Sequence, residues 1–153
     1  DQVSSNILNK AIFTLDIYQV LDSEGLILNI NGRVPDEGAL VEAGIAWITG
    51  KKVVIYKNDA RTLINGCDNP LLMGLSNFIT LDDILKIPDE FMRLFRDVVN
   101  NYNTKPAINN SALEDLYKRG EMIFSLSRNC YADEEVCRNL IKILQENDHV
   151  QTV

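Results

Sequence analysis

Two short apolar runs separated by a helix-like segment constrain this chain more than any other feature. Residues 26–30 and Lys52–Tyr56 have the length and composition of strands, and neither alternates apolar with polar side chains. Between them, residues 38–49 are helical in composition and end at Gly50, a position typical of a C-terminal glycine cap. Continuous apolar strands are typical of parallel sheets covered by helices. The spacing therefore predicts an α/β fold with a flavodoxin-like or Rossmann-like parallel sheet flanked by helices.

The rest of the first 80 residues fits the same fold class. Residues 5–22 repeat apolar side chains at three- and four-residue steps, which predicts a helix. Residues 57–80 are rich in Asn, Asp and Gly, and we expect them to be irregular. Only two strands are recognisable, and a two-stranded sheet is marginal by itself. We therefore expect further strands to precede Asp1.

The second half of the chain is predicted to be a helical extension. Three helices are expected there, beginning at Pro88, Ser111 and Asp133. Ser111 and Glu114 have the spacing of a capping box. We expect a single domain over residues 1–153, with the site in an α/β part (residues 1–80) and a helical part over residues 81–153.

Composition excludes several classes of protein. A net charge of −7 argues against binding to nucleic acid, because neutralising phosphates requires a basic surface. No apolar run approaches the roughly 18 residues of a membrane span. The three cysteines are an odd number without CxxC spacing, which indicates reduced thiols rather than disulfides or a zinc site. We expect a cytoplasmic protein with no bound metal, no nucleic-acid partner and no membrane partner.

The segment 31–44 has the sequence features of a ligand site. It follows a strand directly and opens a helix, and ligands of open α/β sheets bind at that carboxyl edge. The free N–H groups of a helix N-terminus lie there, and Gly38 and Gly44 allow close approach of a ligand. Asp36 and Glu42 are the carboxylates at this turn.

Each candidate residue also has a purely structural interpretation. Asp36 is a good helix N-cap, and Asn69 before Pro70 is typical of a turn. Asp16 fits the exposed side of an amphipathic helix. At 100° per residue, Glu42 shares its side of the helix with Ala39, Ala46 and Thr49. Opposite them lie Leu40, Val41, Trp47 and Ile48, so an ordinary amphipathic helix with Glu42 in solvent would show the same pattern.

Taken together, these residues resemble the nucleoside 2-deoxyribosyltransferase family. The resemblance covers residues 12–56, about a third of the chain. It comprises Asp16 in its helix, the first strand, the Asn31-Gly32 turn, the Asp36-x-Gly38-x-x-x-Glu42-x-Gly44 motif and the Gly50-Lys51-Lys52-Val53-Val54 continuation. Family members often have Asp-Gly where this chain has Asn31-Gly32.

The resemblance implies a role for each candidate residue. Glu42 would be the nucleophile that attacks the anomeric carbon and forms a covalent deoxyribosyl-enzyme. Asp16 would contact the nucleobase and help protonate it as it leaves. Asp36 would bind the sugar hydroxyls, with Gly38 beside it, and Asn69 would reach the sugar in a neighbouring subunit's site. The implied partners are 2′-deoxynucleosides, free nucleobases and further copies of the chain, with no cofactor or metal.

Three functional hypotheses follow. The first is transfer of 2-deoxyribose between nucleobases in nucleoside salvage, which we favour because three carboxylates match at their spacings. The second is a nucleoside or nucleotide N-glycosidase of the same superfamily, in which water replaces the acceptor base. The third is a non-catalytic α/β scaffold module.

Overall fold

The computed structural model describes residues 4–32, 34–60, 68–100, 110–129 and 133–145. The chain divides into two compact units. The sheet unit is Ser23–Ala107, and the helical unit combines Asp1–Asp22 with Ile108–Val153.

In chain order the elements are α1 (Ser5–Asp22), β1 (Gly25–Asn29), α2 (Glu37–Ile48), β2 (Lys52–Tyr56), α3 (Pro70–Gly74), β3 (Thr80–Leu81), a 3-10 turn (Ile84–Lys86), α4 (Ile87–Asn100), α5 (Ser111–Arg128) and α6 (Asp133–Gln145). The first four agree with the sequence-based prediction to within about a residue at each end. The predicted fold class is confirmed, because three parallel strands form one sheet flanked by helices and followed by helical segments.

The sheet has the order β1-β2-β3, with all strands parallel. β1 and β2 pair over their full lengths, from Gly25 opposite Lys52 to Asn29 opposite Tyr56. The three central residues of β2 are buried although successive side chains point to opposite faces, so both faces of this strand are covered. This explains why the strand shows no polar alternation in the sequence.

Residues 61–67 lie outside the described residues, but the rest of the segment 57–80 is less irregular than expected. It contains α3, capped by Asn69 and with Pro70 in its first turn, and the start of β3. β3 was missed because two residues are too few to show a periodic pattern. The sheet thus has a third strand within the chain itself.

α5 begins at Ser111 as predicted, but its cap and the start of α4 differ from the prediction. α5 is capped by Asn110, whose side-chain oxygen accepts a hydrogen bond from the Ala112 N–H at 3.0 Å, so the predicted capping box at Ser111 is wrong. An amide oxygen one residue earlier satisfies the free N–H group instead. α4 begins at Ile87, one residue before Pro88, because it continues directly from the 3-10 turn.

The helical unit has a core to which α1, α5 and α6 all contribute. Ala11, Ile123 and Leu144 are buried there, with Ile7, Leu15, Leu140 and Ile143 packed around them. The buried side of α1 is narrower than the apolar spacing in the sequence indicated. Leu8 and Ile12 are about half exposed, whereas Thr14 is buried and donates its hydroxyl to the Lys10 carbonyl at 2.8 Å.

α1 and α5 approach each other closely at Gly120. A Cβ atom at that position would lie 2.1 Å from the Tyr18 Cβ and 2.8 Å from the Thr14 carbonyl oxygen. Beside this contact, the Tyr18 and Tyr117 rings have centroids 5.0 Å apart. The Tyr117 hydroxyl donates a hydrogen bond of 2.9 Å to Asp22 Oδ1, which links the same two helices.

Gly120→Ala is expected to destabilise the protein by at least about 2 kcal/mol, because the added methyl group overlaps backbone and Cβ atoms that cannot rotate away. Gly44→Ala is the matched control. Its Cβ would meet no atom within 4 Å, so the better helix propensity of alanine should raise stability by up to about 1 kcal/mol. Urea unfolding of both variants measures the difference. Equal midpoints would contradict the close approach of α1 and α5.

The hydrogen bond to Asp22 and burial together raise the pKa of Tyr117 from 10.0 to about 12. The bond requires the protonated phenol, so its stabilisation is present below pH 10 and is lost as the pH rises through about 12. Asp22→Asn should therefore lower the pKa of Tyr117. Ultraviolet titration, with Tyr117→Phe to assign the signal, measures this shift. Glu121→Gln is the control and should have a smaller effect, since Glu121 is the weakest of the contributing groups.

Candidate functional site

The candidate site lies at the carboxyl edge of the sheet, where β1 and β2 end side by side. Asn29 is opposite Tyr56 in the register, and the Ile30 N–H donates to the Tyr56 carbonyl at 3.1 Å. The chain leaves this edge from β1, enters α2 and returns as β2. The N-terminus of α2 follows the β1 end by a short turn, an arrangement in which open α/β sheets bind ligands.

The Asn31-Gly32 turn is fixed by hydrogen bonds to both strand ends. The Asn31 side-chain NH₂ group donates to Asn29 Oδ1 at 2.8 Å. Its side-chain oxygen accepts a hydrogen bond of 2.9 Å from the Asn58 N–H. Gly32 has a φ of 109°, which favours glycine, and its N–H donates to Asp59 Oδ2 at 3.1 Å. Asparagine at position 31 acts as donor and acceptor together. An ionised aspartate could only accept, so it could not make both of these bonds.

Asp36 is the N-cap of α2, as its structural interpretation predicted. Its Oδ1 accepts a hydrogen bond of 2.8 Å from the Ala39 N–H, and the residue is exposed. A Cβ atom at position 38 would lie 3.2 Å from this oxygen, closer than most real contacts. Gly38 therefore leaves room for the capping carboxylate. Among the described residues, Asp36 Oδ2 has no hydrogen-bond partner.

Glu42 lies half-buried on the packed side of α2, four residues after Gly38 and therefore one turn further along. Its neighbours Ala43 and Ala46 are fully buried. Helical side chains tilt toward the N-terminus, so Glu42 points back along α2 toward the turn that begins at Asp36.

The other side of α2 rules out the ordinary amphipathic interpretation. Its apolar side chains are exposed: Val41 at 59%, Trp47 at 53% and Ile48 at 67%. An amphipathic helix with Glu42 in solvent would bury these three residues. The sequence periodicity predicts how the residues are arranged around the axis of α2, but it cannot show which side of the helix packs against the sheet.

Asn69 belongs to the same unit as Asp36 and Glu42. It is exposed and caps α3, with Oδ1 accepting from the Leu71 N–H at 2.9 Å. This is the turn-forming role that its sequence context predicted. Asp16 lies on α1 in the other compact unit and is half-buried. The structure thus places Asp36 at the N-cap of α2, Glu42 within α2 and Asn69 in the same unit.

Sequence reasoning missed a buried ion pair at the same edge. Lys57 follows β2 directly, and its Nζ lies 2.6 Å from Asp68 Oδ1. The two side chains are only 7% and 16% exposed. A lysine immediately after a buried parallel strand was a usable signal, because the carboxyl ends of such strands carry site residues.

Within the described ranges, no group of three or more His, Cys, Asp or Glu residues could hold a metal ion. None of the helices described is long and apolar enough to cross a membrane.

Substitutions of Asp36 separate its capping role from its charge. Asp36→Ala should lower the free energy of unfolding by about 1 kcal/mol, since the Ala39 N–H loses its acceptor. Asp36→Asn keeps an oxygen at the same position and should cost less than about 0.5 kcal/mol. Urea unfolding curves measure both values. Identical curves for Asp36→Ala and the unmodified protein would show that the cap contributes nothing.

The sequence was also compared with known proteins. No curated protein matches the chain. The family model for nucleoside 2-deoxyribosyltransferase matches residues 2–141, which extends well beyond the segment that carries the motif. The chain therefore belongs to the nucleoside 2-deoxyribosyltransferase family.

Proposed function

We propose that this protein transfers 2-deoxyribose between nucleobases, with Glu42 as the nucleophile. Membership of the family indicates a nucleoside deoxyribosyltransferase-like function. The observation that carries the finer proposal is the position of Glu42. It is half-buried on α2, one turn after Gly38, on the side of the helix opposite the exposed apolar residues.

The proposed reaction has two displacement steps at C1′ of the sugar. In the first, a Glu42 carboxylate oxygen forms a bond to C1′ while the C1′–N bond breaks, and its electron pair leaves with the base. A proton reaches the departing base, with Asp16 as the proposed donor. In the second, a nitrogen of another base attacks C1′, loses its proton and releases the Glu42 carboxylate. No oxidant, reductant or metal is needed.

A carboxylate nucleophile suits this chemistry. Cleavage of a glycosidic bond develops positive charge on the sugar, and an anionic oxygen beside C1′ stabilises it. The 2-deoxy sugar lacks the hydroxyl that would withdraw electrons from that cation. The helix N-terminus and Gly38 allow a sugar to approach α2 closely, and the Asp36 carboxylate is the proposed acceptor for its hydroxyl groups.

The remaining assignments belong to the same proposal. Asn69 would contact the sugar in a neighbouring subunit's site, which makes the active protein a homo-oligomer. Its partners would be 2′-deoxynucleosides and free nucleobases in cytoplasmic nucleoside salvage.

Glu42→Gln should reduce base exchange more than about 1,000-fold, because the amide cannot form the ester intermediate. The assay supplies a 2′-deoxynucleoside with a different free base and detects the new nucleoside by chromatography. Glu37→Gln is the control. It removes a carboxylate from the first turn of the same helix, at an exposed position, and should retain exchange.

The same assay separates the competing functions. Release of the base without a new nucleoside would indicate an N-glycosidase. Neither product from the unmodified protein would indicate a non-catalytic module. Full exchange by Glu42→Gln would remove Glu42 from the mechanism. In contrast, a sugar adduct on the Glu42 peptide, detected by mass spectrometry after acid quenching, would support the covalent intermediate.

A further inference from the structure

We propose that Lys57 is a positioning residue, which holds Asn69 and the start of α3 at the carboxyl edge through its ion pair with Asp68. This inference rests on the proposed function, because it assigns Asn69 to substrate binding. It adds a residue that the family resemblance did not assign.

Lys57 is fixed at the sheet through its main chain. It follows Tyr56, the last residue of β2, and its N–H donates to the Leu81 carbonyl at 2.8 Å. This bond extends the pairing of β2 with β3 by one residue beyond the end of β2. The base of the Lys57 side chain therefore has a defined position at the sheet edge.

The Lys57 side chain links the edge of the sheet to a distant part of the chain. Lys57 Nζ lies 2.6 Å from Oδ1 of Asp68, which is eleven residues later in the sequence. Because the ammonium group is almost fully buried, separating the pair would leave a charge in a poorly solvated place. The pair therefore restricts where Asp68 can lie.

Asn69 follows Asp68 directly and makes two hydrogen bonds that define the start of α3. Its side-chain oxygen accepts from the Leu71 N–H at 2.9 Å, and its carbonyl accepts from the Met73 N–H at 3.0 Å. Since a single peptide unit joins Asn69 to Asp68, movement of Asp68 must move Asn69 as well.

A direct role of Lys57 in binding an anionic substrate fits the geometry less well. Its side chain is only 7% exposed and is paired with a carboxylate at 2.6 Å. A phosphate would have to displace that carboxylate and reach a buried nitrogen. The geometry therefore favours positioning over contact with substrate.

The test uses Lys57→Met, which removes the charge, and Lys57→Arg, which retains it. Lys57→Met should raise the KM for the deoxynucleoside about tenfold and change kcat less than about twofold, since sugar binding is weakened rather than the chemistry. Lys57→Arg should restore most of the affinity. If Lys57→Met does not fold, Asp68→Asn is the substitute, because it removes the charge with little change of shape.

Two double variants distinguish positioning from simple stabilisation. Lys57→Met/Asp68→Leu replaces both charges and should recover thermal stability without recovering the KM. Lys57→Met should have little further effect on KM in an Asn69→Ala background, because both changes act through the same residue. Full recovery of KM in the first variant, or additive effects in the second, would overturn the proposal.

A readout independent of activity separates this inference from the proposed function. In ¹H–¹⁵N spectra, Lys57→Met should shift the amide resonances of Leu71 and Met73, whereas Lys57→Arg should leave them near their original positions. If the unmodified protein exchanges no bases, the proposed function fails, and unchanged resonances in Lys57→Met would independently refute the link to Asn69.

Discussion

The parallel pairing of β1 with β2 is the constraint on which the sheet unit depends. Parallel neighbours cannot be joined by a tight turn, so the chain must cross back through α2 before it forms β2. The start of α2 and the end of β2 are consequently brought to the same edge. The hydrogen bond between Gly32 and Asp59, 27 residues apart in the sequence, is a product of this topology.

Small side chains determine how closely α2 can pack. Ala43 and Ala46 have no exposed surface. Because their side chains are small, the backbone of α2 lies close to the elements packed against it. Larger residues at these positions would move the whole helix outward and Glu42 with it. The exposed apolar side of the helix and the half-buried glutamate are therefore two consequences of the same packing orientation.

Local features of the structure could be predicted from the sequence, whereas features that depend on distant residues could not. α1 and α2 are encoded by helical patterns and β1 and β2 by short apolar runs, and Asp36 caps α2 as its position indicates. β3 is too short for a pattern and exists only because β2 lies beside it. The burial of Lys57 could not be predicted, because Asp68 compensates it from eleven residues away. The sequence left the orientation of α2 open for the same reason, since only the sheet decides which side of the helix is covered.

The Asp36-x-Gly38-x-x-x-Glu42 spacing describes one local geometry rather than three separate requirements. The carboxylate of Asp36 fixes where the helix begins, and the missing side chain at Gly38 makes room for that carboxylate. One helical turn separates Gly38 from Glu42, so the cap also fixes where along α2 the glutamate lies. A side chain at position 38 would crowd the capping carboxylate, because its Cβ would lie 3.2 Å from Asp36 Oδ1. The cap thus gives a physical reason for a glycine between the two acids, whichever molecule the site accepts.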